Sequence, residues 1–144
     1  MMDIKTPAFT PEGSIPREFT CDGADKNPEL QISGVPSEAK SMVLIVDDPD
    51  APGGTFLHWL LYNIDPTDRI AEGSAPGSEG ANDFGKTAYG GPCPPSGTHR
   101  YYFRLYALDT ALDLPGGAER QEVEREMDGH VLAEAQLMGT YSRS

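Results

Sequence analysis

The densest apolar run of the chain is Met42-Val43-Leu44-Ile45-Val46, uninterrupted by any polar residue. A run this rich in β-branched residues predicts a strand covered on both faces, and it stops on Asp47 and Asp48. A second run returns as Phe56-Leu57-His58-Trp59-Leu60-Leu61-Tyr62-Asn63-Ile64, too apolar for an exposed edge. Strict alternation places Phe56, His58, Leu60 and Tyr62 on one face and sends Trp59 into the core. A third strand over 100–109 continues from His99, with His99, Tyr101, Phe103 and Leu105 on an apolar face and Arg100, Tyr102, Arg104 and Tyr106 opposite. Between the second and third strands, residues 66–98 lack any apolar run and are rich in Gly, Pro and Ser. So long a loop is expected to be functional or mobile. Its acidic part, 72–83, is a candidate gate or interface.

The remaining signals are weaker. Residues 3–9 predict a short strand, 11–16 a turn, 22–28 a loop, and 30–32 a short strand ended near Gly34. One helix is predicted over 119–128. Glu119 and Glu122 suit its N-terminus, Val123 and Met127 dock one side, Gly129 stops it, and the charged remainder is read as a solvated face. Residues 133–137 alternate as a last strand. Many strands and one helix predict a mainly β fold, with 1–144 as a single domain.

Composition narrows the function classes. The chain holds 16 glycines and 13 prolines, the material of many ordered turns. Its net charge of −12 and the lack of a basic stripe argue against nucleic acid and against anionic membrane surfaces. No apolar stretch is long enough for a membrane-spanning helix, and the start of the chain has no secretory pattern, so a cytoplasmic protein is expected. Cys21 and Cys93 are too few and too distant to imply a disulfide framework or a zinc site. They are read as two free thiols, with a bridge between their loops as the alternative.

Two stretches carry chemistry. Asp47-Asp48-Pro49-Asp50-Ala51-Pro52 precedes His58, and Gly90-Gly91-Pro92-Cys93-Pro94-Pro95-Ser96-Gly97-Thr98 delivers His99 and Tyr101. Proline stiffens such a loop and glycine permits close approach of a ligand. Each residue also has a plainer reading. Asp–Pro pairs form turns, His58 inside an apolar strand is most simply a satisfied core histidine, and Tyr101 is most simply core packing. A carboxylate beside an imidazole changes the balance, because it stabilises the charged ring against burial. Arg100, opposite His99, is read as a structural ion-pair partner, and His130 as structural.

The two stretches, in this order and about 40 residues apart, resemble the signature regions of the phosphatidylethanolamine-binding protein family. The resemblance is nearest to its bacterial and archaeal Raf-kinase-inhibitor-like branch and covers nearly the whole chain, from Phe19 to Tyr141. It implies a Greek-key β-sandwich with one or two short peripheral helices. It further implies a ligand pocket walled by Asp48, Pro52, His58, Cys93, Pro94, Pro95, His99 and Tyr101, with Asp50 and Pro52 as shoulders and a cis Ala51–Pro52 bond. Animal relatives commonly carry a different small residue where this chain has Cys93, which adds a redox sensitivity here.

The leading expectation is a binding module for a small anionic or phosphorylated ligand, with no cofactor. The resemblance adds modulation of protein kinases or proteases through protein contacts, and a homodimer. The competing class is an enzyme. His58, His99 and Asp48 match a two-histidine, one-carboxylate metal set or an acid–base set for hydrolysis, and Cys93 near His99 is a candidate thiol nucleophile. No HExxH, GxSxG or GxxxxGK[ST] pattern supports catalysis.

Overall fold

The run at 42–46 lies in the middle strand of a five-stranded antiparallel sheet. The structure is a computed structural model that describes residues 1–143. In chain order it has β1 (Asp3–Lys5), a 3-10 turn (Arg17–Phe19), β2 (Leu30–Ser33), β3 (Ser41–Asp48), β4 (Phe56–Ile64) and β5 (Arg69–Ile70). Then come β6 (Ser78–Glu79), β7 (Thr98–Leu108), α1 (Arg120–Met127) and β8 (Val131–Ser142). The large sheet has the order β6-β4-β3-β7-β8 and the small sheet β1-β2-β5. After β4 the chain therefore crosses to the other side of β3 before it becomes β7.

Every residue of β3 is buried, because each face has a cover. Met42, Leu44 and Val46 pack with Phe103 and Leu105 against Ile4, Leu30, Ile32 and Ile70 of the small sheet. Val43 and Ile45 join Leu60, Tyr62, Val123 and Met127 in a second core under α1. Burial on both faces explains why this strand shows no alternation. The mainly β sandwich with peripheral helical elements is as the sequence predicts.

The helix starts where Glu122 accepts the Glu119 backbone N–H at 3.0 Å, satisfying one of the unpaired donors of a helix start. Its polar remainder is not simply solvated. Arg120 reaches the sheet and donates to Asp47 at 2.9 Å, tying α1 to β3.

Four further expectations change. The strand expected over 3–9 ends at Lys5, and the last strand runs from Val131 to Ser142, paired with β7 along its length. The stretch 66–98 contains β5 and β6, each of two residues and too short to leave a periodic signal. Nor is its acidic part a free gate. Glu79 accepts the Trp59 indole N–H at 2.9 Å, and Asp83 accepts the Leu57 backbone N–H at 2.7 Å. Asn82 donates to the Ala88 and His58 carbonyls and accepts from the backbone N–H groups of Phe84 and Lys86.

Candidate functional site

A β-bulge aims His58. Val46 pairs with Trp59 but the next residue, Asp47, pairs with Leu57, so His58 is an extra residue in β4. This overturns the single face expected for Phe56, His58, Leu60 and Tyr62. Leu60 and Tyr62 face the helix, whereas the His58 ring meets Tyr101 at 5.3 Å on the sandwich side. An inserted residue re-aims a side chain, and alternation counted across it fails.

β7 brings the other half of the site. His99 and Tyr101 alternate onto the same face of the strand, with their rings 6.4 Å apart and nearly parallel. Asp48 closes β3 beside them. Its Oδ2 accepts from His99 Nδ1 at 2.6 Å, and its Oδ1 accepts the Asp50 backbone N–H at 2.8 Å. His58 Nδ1 donates to the Gly90 carbonyl at 2.7 Å. Both imidazoles are thus fixed through Nδ1, and no protein group hydrogen-bonds either Nε2 among the described residues.

These side chains line a cavity of about 240 Å³. All eight residues implied by the family resemblance reach it: Asp48, Pro52, His58, Cys93, Pro94, Pro95, His99 and Tyr101. Ala51, Phe56 and Phe84 complete the wall. Phe84 escaped the sequence reading because it stands alone in a stretch without periodicity. It is 41% exposed, packs edge-on to Phe56 and His58, and occupies the space a side chain at Gly90 would need. An isolated aromatic in a polar loop was the available signal.

Burial pushes the His58 pKa below its usual value, opposed by the Gly90 carbonyl and the Asp48 carboxylate. Burial and then Asp48 push the Tyr101 phenol well up, so it remains a protonated donor. That hydroxyl is sealed from solvent and has no hydrogen-bond partner, the single such side-chain atom among the described residues.

The cavity wall corrects two expectations. Cys93 is not a free thiol but is bonded to Cys21, with the Cα atoms 5.5 Å apart. The Cys21 N–H donates to the Pro92 carbonyl at 3.1 Å and Asp25 accepts the Gly91 N–H at 2.7 Å, so backbone contacts hold the two loops together. A separation of 72 residues carried no hint of this pairing. The bridge removes both the thiol nucleophile and a free-thiol redox sensitivity. The Ala51–Pro52 bond is trans, since no cis peptide occurs among the described residues. The turn is held instead by Asp48 and by Asp50, which accepts from the Arg100 backbone and guanidinium at 2.8–2.9 Å. Arg100 holds the Asp50 pKa down at about 2. Arg100 is therefore the structural partner that its position predicted.

Among the other residues weighed from sequence, Trp59 is core and His130 pairs with Asp109 on the surface at 2.8 Å. No group of three His, Cys, Asp or Glu side chains among the described residues is arranged to hold a metal ion. No helix among them is long and apolar enough to cross a membrane.

Comparison with known proteins places this site in a family. Residues 5–142 match the family model described as phosphatidylethanolamine-binding protein. A UPF0098 protein of Methanothermobacter thermautotrophicus is 51% identical over 150 aligned residues, covering 99% of each chain. A phosphatidylethanolamine-binding protein homologue of Chlamydia trachomatis superposes with a TM-score of 0.96 at 42% identity, covering 99% of this chain and 98% of its own. E. coli YbcL superposes with a TM-score of 0.91 at 26% identity, covering 99% of each chain. With the paired motifs folded into one cavity and a family match over nearly its full length, the chain belongs to the phosphatidylethanolamine-binding protein family.

Proposed function

We propose that this protein is a binding module that takes a small oxyanion, or the phosphorylated end of a larger molecule, in the cavity between His58 and His99. The observation that carries this reading is the cavity that His58 and His99 both line, each ring held through Nδ1 with no protein partner at Nε2 among the described residues. The apolar remainder of the wall, from Pro94, Pro95, Phe56 and Phe84, excludes water and strengthens each polar contact. Binding is favoured over turnover because Cys93 is bridged and, among the described residues, no serine, threonine or cysteine side chain hydrogen-bonds the His99–Asp48 pair.

The test is a titration of the full chain with sodium phosphate, followed by the imidazole NMR resonances. Saturable shifts at His58 and His99, abolished in His99→Ala and absent at His130, support the reading. Saturable binding that leaves His58 and His99 unmoved would sink it.

A further inference from the structure

The cavity wall contains a carboxylate and no lysine or arginine. That is an unusual lining for an anion, and the fixed orientation of the rings sharpens the problem. A carbonyl only accepts, so the His58 Nδ1 bonded to Gly90 carries the ring proton. The neutral His58 ring then shows a bare lone pair at Nε2. His99 is fixed the same way, since its Nδ1 donates to Asp48 Oδ2. The polar side chains of the cavity wall therefore include two acceptors, His58 Nε2 and Asp48.

Resting on the anion-site reading above, we infer that the cavity selects oxyanions that carry a proton, phosphate and phosphomonoesters, over sulfate of the same shape. A P–O–H group donates to His58 Nε2. Sulfate has no proton to offer near neutral pH and would set a bare oxygen against a lone pair. A phosphomonoester has its second pKa at about 6. At neutral pH it is mostly the dianion, so one proton is taken from solvent as it binds. The proton balance is the same whether it rests on the phosphoryl oxygen or crosses to Nε2.

The surroundings of His58 agree from each side. Asp48 and Asp47 come from β3, Tyr101 and His99 from β7, and the Gly90 and Gly91 carbonyls from the loop. None of these is a fixed cation. Asp50, the next acid along, is already occupied by Arg100. Burial, which disfavours the charged ring, keeps Nε2 an acceptor until a proton arrives with the ligand.

The test is isothermal calorimetry on the full chain near neutral pH, with phosphate and with sulfate at matched ionic strength, in two buffers of different ionisation enthalpy. Inorganic phosphate already carries a P–O–H near neutral pH, so it should bind at least about tenfold more tightly than sulfate without proton uptake, whereas a phosphomonoester dianion titrated in the same buffers should take up about one proton as it binds. In His58→Gln the amide offers a permanent N–H, so the preference for phosphate should fall at least about fivefold. If phosphate and sulfate bind equally and the phosphomonoester shows no buffer dependence, this inference fails and the anion site stands. If neither anion binds, the anion site fails with it. The wild-type comparison decides even if the variant does not fold.

Discussion

Asp47 and Asp48 are neighbours in the chain whose carboxylates work on opposite faces of one strand. Asp47 turns toward the helix and accepts from Arg104 at 3.1 Å and Arg120 at 2.9 Å. Asp48 turns toward the cavity and accepts from His99 at 2.6 Å. Alternation alone separates them, since successive side chains of a strand point to opposite faces. One acid locks a helix to a sheet and the other orients a ligand-facing imidazole.

Asp47→Ala should therefore cost stability without touching the cavity. It leaves two guanidiniums, each about a quarter exposed, without their carboxylate and frees α1 from β3. Breaking a buried ion pair costs about 3–5 kcal/mol, and the partial exposure of the arginines favours the lower end. Urea unfolding measures the loss, and phosphate affinity of the folded protein should change by less than about twofold. A loss under about 0.5 kcal/mol would mean that Asp47 is not the tether described.

The division between these acids marks how far the sequence could be read. Two adjacent aspartates after a buried strand say that one faces each way, and the motifs say that the second belongs to a pocket. The three long strands and the helix were legible because periodicity is a local signal, whereas the eight wall residues were named by the family resemblance of the two motifs. His58 reached the correct cavity for a reason alternation contradicts. The bulge that turns it is set by pairing with β3, which no single strand encodes. The Cys21–Cys93 bridge and the place of Phe84 depend on how loops without periodicity fold over the sheet, so neither had a local signature.

That bridge should contribute heavily to stability. It closes a loop spanning 72 residues, for which the entropy lost by the unfolded chain corresponds to about 4 kcal/mol. Measured effects commonly fall at about 2–4 kcal/mol. Guanidinium unfolding of the oxidised protein and of the Cys21→Ser, Cys93→Ser double variant should differ by that much. Because Cys93 lines the cavity, the double variant should also bind phosphate more weakly. Equal unfolding midpoints would show that the surrounding hydrogen bonds hold the loop unaided.

His58 gives stability a pH dependence of defined sign. Its pKa is lowered in the folded protein, so on acidification the unfolded chain takes up the proton first. Stability is then lost as pH falls through the unfolded value, about 6.5, toward the lower folded one. Unfolding free energy should decline between about pH 7 and 5, and His58→Gln should flatten that slope while leaving the steeper acid limb of the carboxylates below it. An unchanged slope in the variant would show that the ring is not held neutral. A ligand that brings a proton opposes this loss, so phosphate should stabilise the protein more at pH 6 than at pH 8.

Tyr101→Phe separates the needs of the fold from those of the ligand. The ring packs against His58 and His99, and phenylalanine preserves those contacts. Only the hydroxyl is removed, and without ligand it is a buried donor that bonds to nothing. Stability of the free protein should hold or rise, by up to about 1–3 kcal/mol if the full cost of the unpaired group is recovered. Phosphate affinity should change by less than about twofold, because the sealed hydroxyl is out of reach of the cavity. A general packing defect cannot produce that result, because it would weaken folding and binding together. Thermal unfolding and calorimetry on the same preparation read both. A variant that loses stability or phosphate binding would show that the hydroxyl is bonded within the site and not unpaired as described.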